Sequence, residues 1–329
     1  MNKKYCIVDL HLHLDGSLSP EIIIEIAKEE GIKLPTYDAN ELKKYLQVPP
    51  TCESLNEYLT KFDLPNLVLQ TKNGLRKATL DLMKRETDNG LKYIEIRMAP
   101  QLSTSKGLTQ DEVVNTLINA IKEGEELYNI KANLILCLMR GKENLKENKE
   151  TINIAKKYLK NKVVAVDLAG AEALFPNELF FDLFLEAKKE NIPFTIHAGE
   201  ASGAESMVTA LSMQPNRIGH GIHSIDDEKV MIYLRDNKIP LEICPKSNLD
   251  TKTIKSFSEL PIKDFIAKGI IVTINTDDMT VSNTSLKNEY EILEKFGIDD
   301  EKLQQIANNS INSAFISDKE KEELRQYLN

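Results

Sequence analysis

Eight short runs of β-branched and aliphatic residues, at 5–10, 91–98, 132–139, 163–168, 193–197, 217–220, 240–244 and 270–275, punctuate the 329-residue chain. From the second run onward they are separated by segments with helical periodicity. In 111–128, Val113, Val114, Leu117 and Ile121 recur at the spacing of one helix face, and 178–189 repeats the pattern. Strands alternating with helices pair in parallel through right-handed crossovers, and eight such units predict a closed (β/α)8 barrel of the α/β class. The competing open, doubly wound sheet wants a glycine-rich phosphate loop after its first strand, and none is present. At this length a chain exceeds the usual limit for one core unless the fold is a barrel. The expectation is therefore one barrel domain over 1–329.

The first connection is anomalous. The first two runs are separated by 80 residues, 11–90, against about 2–6 in an ordinary βα loop. Helices are predicted at 20–30, 40–46, 54–62 and 67–88, with Pro35, Pro49, Pro50 and Pro65 as breakers. An insertion at about 17–90 leaves the carboxyl end of a barrel strand, so it would stand over the mouth as a lid. After the eighth run, helices at 286–296, 301–309 and 318–328 are expected to close the barrel.

Composition excludes several partners. A formal net charge of −9 would repel nucleic-acid backbones and anionic membranes, leaving a small, uncharged molecule as the expected ligand. Cys6, Cys52, Cys137 and Cys244 show no close spacing, which suggests free thiols in a reducing compartment. The basic start Met1-Asn2-Lys3-Lys4 leads into an apolar run interrupted at Asp9, too early for a secretory leader. No stretch approaches the ~20 apolar residues of a membrane span. A cytoplasmic monomer is the expectation.

All five histidines fall where these runs stop: His11 and His13, His197, then His220 and His223. A fourth run leads to the paired carboxylates Asp277 and Asp278. Two residues apart on a strand, His11 and His13 point to the same side and form a preformed half-site for zinc. With His197 and Asp277 they supply three imidazoles and one carboxylate with a position left for water, the pattern of a catalytic zinc centre, one ion per chain.

His11-Leu12-His13-Leu14-Asp15-Gly16-Ser17, His197-Ala198-Gly199-Glu200, Gly219-His220-Gly221-Ile222-His223, Cys244-Pro245-Lys246-Ser247-Asn248 and Asn275-Thr276-Asp277-Asp278 together resemble the signatures of the adenosine deaminase family. Lys61-Phe62-Asp63-Leu64-Pro65, Leu168-Ala169-Gly170 and Asn309-Ser310-Ile311-Asn312 add to the likeness, which spans nearly the whole chain. The resemblance implies a zinc-dependent barrel that removes the 6-amino group of adenosine or 2′-deoxyadenosine by hydrolysis, in purine salvage. It implies His11, His13, His197 and Asp277 as metal ligands, Glu200 as proton donor to purine N1, and His220 as the group that orients or deprotonates the attacking water. It further implies that Asp278 faces purine N7, Asp15 the ribose 5′-hydroxyl and the Gly170 N–H purine N3, with Leu59 and Phe62 as an apolar gate and His13 beside the substrate. His223 reads as structural, and Lys246 stands where a small or apolar residue is expected.

Related barrels offer rival readings. Adenine and futalosine-type deaminases share the metal centre but usually carry Glu at the position of Asp15. An AMP deaminase would need a basic cluster for its phosphate. A phosphoesterase would want a second metal and more ligands than five histidines supply. A deaminase-like binding protein with a dead site would not keep Glu200 and His220.

Overall fold

The computed structural model describes residues 5–328, so the basic start Met1–Lys4 and Asn329 lie outside the described residues. Eight parallel strands run in chain order: β1 (Val8–His13), β2 (Tyr93–Met98), β3 (Lys131–Met139), β4 (Val163–Ala169), β5 (Thr195–Ala198), β6 (Arg217–His220), β7 (Leu241–Ile243) and β8 (Val272–Ile274). β1 to β4 and β5 to β8 each pair in sequence order. The seam between the two sets is stitched by Val166 N–H to Pro193 O at 3.0 Å. Closure comes from β1: His13 N–H donates to Asp277 O and Asp277 N–H to His11 O, both at 2.8 Å. The expected barrel is thus formed. Its strands are almost wholly buried, as near-continuous apolar runs in a helix-covered parallel sheet must be.

Fifteen helices surround the strands among the described residues. The β1–β2 connection carries α1 (Pro20–Glu30), α2 (Ala39–Leu46), α3 (Leu55–Leu59), α4 (Asp63–Val68) and α5 (Lys72–Asn89). Next come α6 (Gln110–Leu127), α7 (Leu145–Tyr158), α8 (Phe181–Lys189), α9 (Ala204–Ser212), α10 (Glu228–Asp236), α11 (Pro245–Asp250) and α12 (Ile262–Ala267). Beyond β8 lie α13 (Leu286–Lys295), α14 (Asp300–Ser313) and α15 (Asp318–Arg325). Local signals set many of these boundaries. Ser19 caps α1 before Pro20 and Gly31 ends it at φ 66°, while Thr109 and Glu112 form a capping box on α6. The last helices do close the barrel: Asn309 of α14 donates to Val272 O at 3.1 Å, and Arg217 reaches Ser313 O at 2.8 Å.

Several boundaries differ from the sequence expectation. β1 lies at Val8–His13 instead of 5–10, because backbone pairing continues past Leu10 through the buried Leu12, with His11 and His13 on the alternate face of the strand. The 54–62 helix ends at Leu59 and tightens into a 3₁₀ turn at Thr60–Phe62. The 67–88 helix divides, since Thr71 caps a new start by accepting the Gly74 N–H at 3.0 Å. Pro65 breaks nothing. It sits in the first turn of α4, where a missing N–H costs no intrahelical bond. All four cysteines are free and buried, and no helix among the described residues is long and apolar enough to cross a membrane.

Candidate active site

Four side chains converge at the carboxyl end of the barrel with the geometry of a coordination polyhedron. His11 Nε2 lies 3.1 Å from His197 Nε2 and 3.3 Å from Asp277 Oδ1, and His13 Nε2 lies 3.3 and 3.5 Å from the same two atoms. A tetrahedron with bonds of about 2.0–2.1 Å to its centre has edges of about 3.3–3.4 Å. Bare imidazole lone pairs at such separations repel unless a cation or proton lies between them, so the donor set fits a metal ion. A wider grouping, within 4.8 Å, takes in His220 with His11, His197 and Asp277. The His220 ring is distinguished by its outer partner. Asn248 Nδ2, donating to His220 Nδ1 at 3.0 Å, leaves the ring proton on Nε2, and a protonated nitrogen cannot ligate.

The outer nitrogens of two of these imidazoles rest on buried carboxylates. His11 Nδ1 donates to Glu242 at 3.0 Å, and His197 Nδ1 lies 2.8 Å from Asp167 Oδ2. Each carboxylate is held in turn by Arg97, which bridges Asp167 at 3.0 Å and Glu242, while Arg217 pairs with Glu242 and with Glu95, both at 2.6 Å. All five charged residues are buried. Burial alone would raise the Asp167 and Glu242 carboxyls, but neighbouring His197 and Arg97 (for Asp167) and Arg97 and Arg217 (for Glu242) hold both well below the usual carboxylate range. They stay ionised and so aim the imidazoles inward with Nε2 free. Removing one partner from such a network costs about 3–5 kcal/mol.

Glu200 reaches the same space from the loop after β5 and is buried at 4% exposure, so it is neither a helix nor a surface residue. The loop is shaped by Gly199 at φ 64° and by Glu172, whose carboxylate accepts the N–H groups of Gly199, Glu200 and Ala201 at 2.8, 3.1 and 2.8 Å. Burial, then the charges of Asp277 and Glu172, push the Glu200 carboxyl well above its ordinary pKa. It holds a proton where an exposed glutamate would not. Burial keeps His13 and His220 well below the ordinary imidazole value and so neutral. His220 Nε2 lies 3.6 Å from Glu200 and 3.9 Å from Asp277. His220 and Asp277 both occupy the left-handed region, φ 61° and 60°, a strain of roughly 1–3 kcal/mol each that aims them off their strand ends.

These groups form the floor of a cavity of about 380 Å³. His13, Asp15, Gly170, His197, Glu200, His220, Asp277 and Asp278 line it, with Tyr58, Leu59 and Phe62 of the insertion as its apolar roof. Gly170 turns at φ 106°, consistent with its place at a strand end. Leu59 and Phe62 also pack on Cys52, Leu55 and Val281, so gating and core packing coincide. Burial raises Asp15 to about 6 and, with the charges of Asp277 and Asp15, lifts Asp278 well above the usual range. The one cation lining the cavity, Arg140, is spent on Phe175 O, Asn177 and His197 O at 2.6 to 2.7 Å. His223 stands apart from the cavity floor, paired with Asp226 at 2.7 Å. Lys246 pairs with Asp250.

Sequence reasoning missed Arg97, Asp167, Glu172, Glu242, Asn248 and Tyr58. A signal existed for three of them: Arg97, Asp167 and Glu242 are charges inside otherwise apolar strand runs, which is costly unless they face partners across the barrel.

The family model for adenosine deaminase matches residues 7–329. The chain is 46% identical to an adenosine deaminase of Haemophilus ducreyi, covering 99% of this chain and 96% of that one. It is 41% identical to one from Clostridium botulinum, over 99% and 98%. Among solved structures, the adenine deaminase of Arthrobacter aurescens superposes with a TM-score of 0.88 at 28% identity, over 98% of each chain. The N6-mAMP deaminase of Arabidopsis gives 0.86 at 25%, over 100% and 99%. With a family match over nearly its whole length, and relatives above 40% identity from end to end, this chain belongs to the adenosine deaminase family.

Proposed function

We propose that this protein is a single-domain, zinc-dependent hydrolase that converts adenosine and 2′-deoxyadenosine to their 6-oxo products and ammonia. The observation that supports it most is the tetrahedral set of His11, His13, His197 and Asp277 with the proton-bearing Glu200 beside it. When bound, zinc supplies a water-derived nucleophile at neutral pH. His220, whose Nε2–H faces the site, orients the attacking oxygen, while Glu200 donates a proton to N1 as that oxygen adds at C6, so no localised negative charge builds on the ring. Asp278 meets the N7 edge, the Gly170 N–H meets N3, and Asp15 accepts the ribose 5′-hydroxyl. The α3–α4 insertion, with Leu59 and Phe62, closes over the nucleoside and excludes water.

Asp15 on the cavity wall favours a nucleoside over a free base. The absence of an unengaged cation lining the cavity among the described residues speaks against a nucleotide, since a phosphate would meet only Arg140, already committed. The test is a panel in which the purified protein is offered adenosine, deoxyadenosine, adenine and AMP, scored by ammonia release. Adenosine and deoxyadenosine should be turned over far faster than the others, and adenine proving the better substrate would refute the assignment. In the same assay Asp15→Ala should weaken adenosine use by about 1.5–3 kcal/mol with metal content unchanged.

Gly16 makes a second check on the pocket wall. A Cβ built there would lie 1.7 Å from Asp278 Oδ1, so any side chain must displace that carboxyl. Gly16→Ala is expected to lower kcat/KM for adenosine by about 10²-fold without loss of metal, the scale of a 1 Å misplacement at a reacting group. Unchanged kinetics would show that Asp278 has no placement to lose.

A further inference from the structure

Tyr58 sits on α3, in the roof, among Cys52, Leu55, Leu59, Phe62 and Val281. A phenylalanine would suit those neighbours equally well. The phenol is 1% exposed, and a buried hydroxyl needs a partner. Its partner is the cavity carboxylate itself: Tyr58 Oη donates to Asp278 Oδ2 at 3.0 Å and lies 2.8 Å from Ser282 Oγ. Polar contacts therefore run from the roof to Asp278 and Ser282 in the segment after β8. The opposite oxygen of Asp278, Oδ1, is buried against Gly16 and has no hydrogen-bond partner among the described residues. Among the described residues, the Tyr58 hydroxyl is thus the only group that holds the orientation of this carboxyl through a side-chain hydrogen bond.

We propose that Tyr58 is a positioning residue that ties closure of the insertion to recognition of the N7 edge of the purine, by holding the Asp278 carboxyl in the rotamer that meets it. The inference rests on the deaminase reading given above. With the roof down, the hydroxyl braces Asp278. With the roof raised, the carboxyl loses its only brace and N7 is no longer distinguished.

The test compares adenosine with 7-deazaadenosine, which lacks the N7 acceptor, in the zinc-loaded wild type and in Tyr58→Phe. kcat and KM are measured for adenosine, and KM or an inhibition constant for the analogue. The expected result is a fall of about tenfold or more in kcat/KM for adenosine while analogue affinity is nearly unchanged, since one hydrogen bond to a carboxylate is lost and the ring's packing is kept. Equal losses for both nucleosides would mean that Tyr58 only packs the roof, and no loss for either would mean that it braces nothing. Either result overturns the proposal. Should Tyr58→Phe fail to fold, Tyr58→Met decides. It keeps an adaptable apolar side chain in the roof without the hydroxyl and should reduce the preference for adenosine in the same direction, and an unchanged preference overturns the proposal. Wild-type protein that releases no ammonia from adenosine would instead bring down the deaminase reading itself.

Discussion

Glu200→Gln is expected to give a protein that folds, retains its metal and binds nucleoside, yet turns adenosine over about 10²–10⁴-fold more slowly. Glutamine keeps the size and polarity of the side chain, so the backbone bonds from Glu172 to the loop remain. It cannot give up a proton as an acid. The environment of Glu200 exists to keep that proton in place: burial first, then the charges of Asp277 and Glu172, raise its pKa well above the ordinary value. The sign of the pH effect follows. The acid form is the working form, so wild-type kcat/KM should fall as pH rises through the raised pKa of Glu200, and this alkaline limb should vanish in the variant. Turnover of zinc-loaded Glu200→Gln at saturating adenosine is the measurement. Near-wild-type turnover would reduce Glu200 to a supporting role.

His197→Ala should lose metal and activity together. His197 Nε2 is a corner shared by two of the four measured edges, at 3.1 Å to His11 and 3.3 Å to His13, so its removal leaves an open ligand set. The change also takes away the group 2.8 Å from the Asp167 carboxylate, leaving a buried charge with Arg97 as its remaining ionic partner. A lower melting temperature is therefore expected as well. Elemental analysis should find one zinc per wild-type chain and well under one in the variant, and chelation of the wild type should abolish activity that added zinc restores. An enzyme fully active after exhaustive chelation, or one holding two metals per chain, would contradict the ligand assignment.

Much of this molecule is legible in one dimension because the relevant physics is local. A strand followed by a helix declares itself by a change of apolar period from 2 to 3.6, and eight repeats of that change leave a barrel as the economical closure. His11, His13, His197, Asp277 and Asp278 stand out because imidazoles and carboxylates at the ends of apolar runs are otherwise unfavourable. Boundaries were less legible. β1 runs on to His13 because the barrel interior accepts polar side chains there, and α4 begins ahead of Pro65 because a first helical turn does not need that N–H.

The order of elements, the insertion after β1 and the candidate site residues that the fold brings together were thus legible in the sequence itself. Tertiary structure alone decided what fixes the His220 ring, through the Asn248 contact, and which charges brace the imidazoles of His11 and His197, through Arg97, Asp167 and Glu242. It also decided that Tyr58 is more than roof packing, since its partner lies 220 residues along the chain. The physical reason is the same in each case. These contacts join strands and loops far apart in sequence, and they exist only once β1 has paired with the segment after β8 and closed the barrel. No local period or composition encodes the side chain that will stand opposite across the interior.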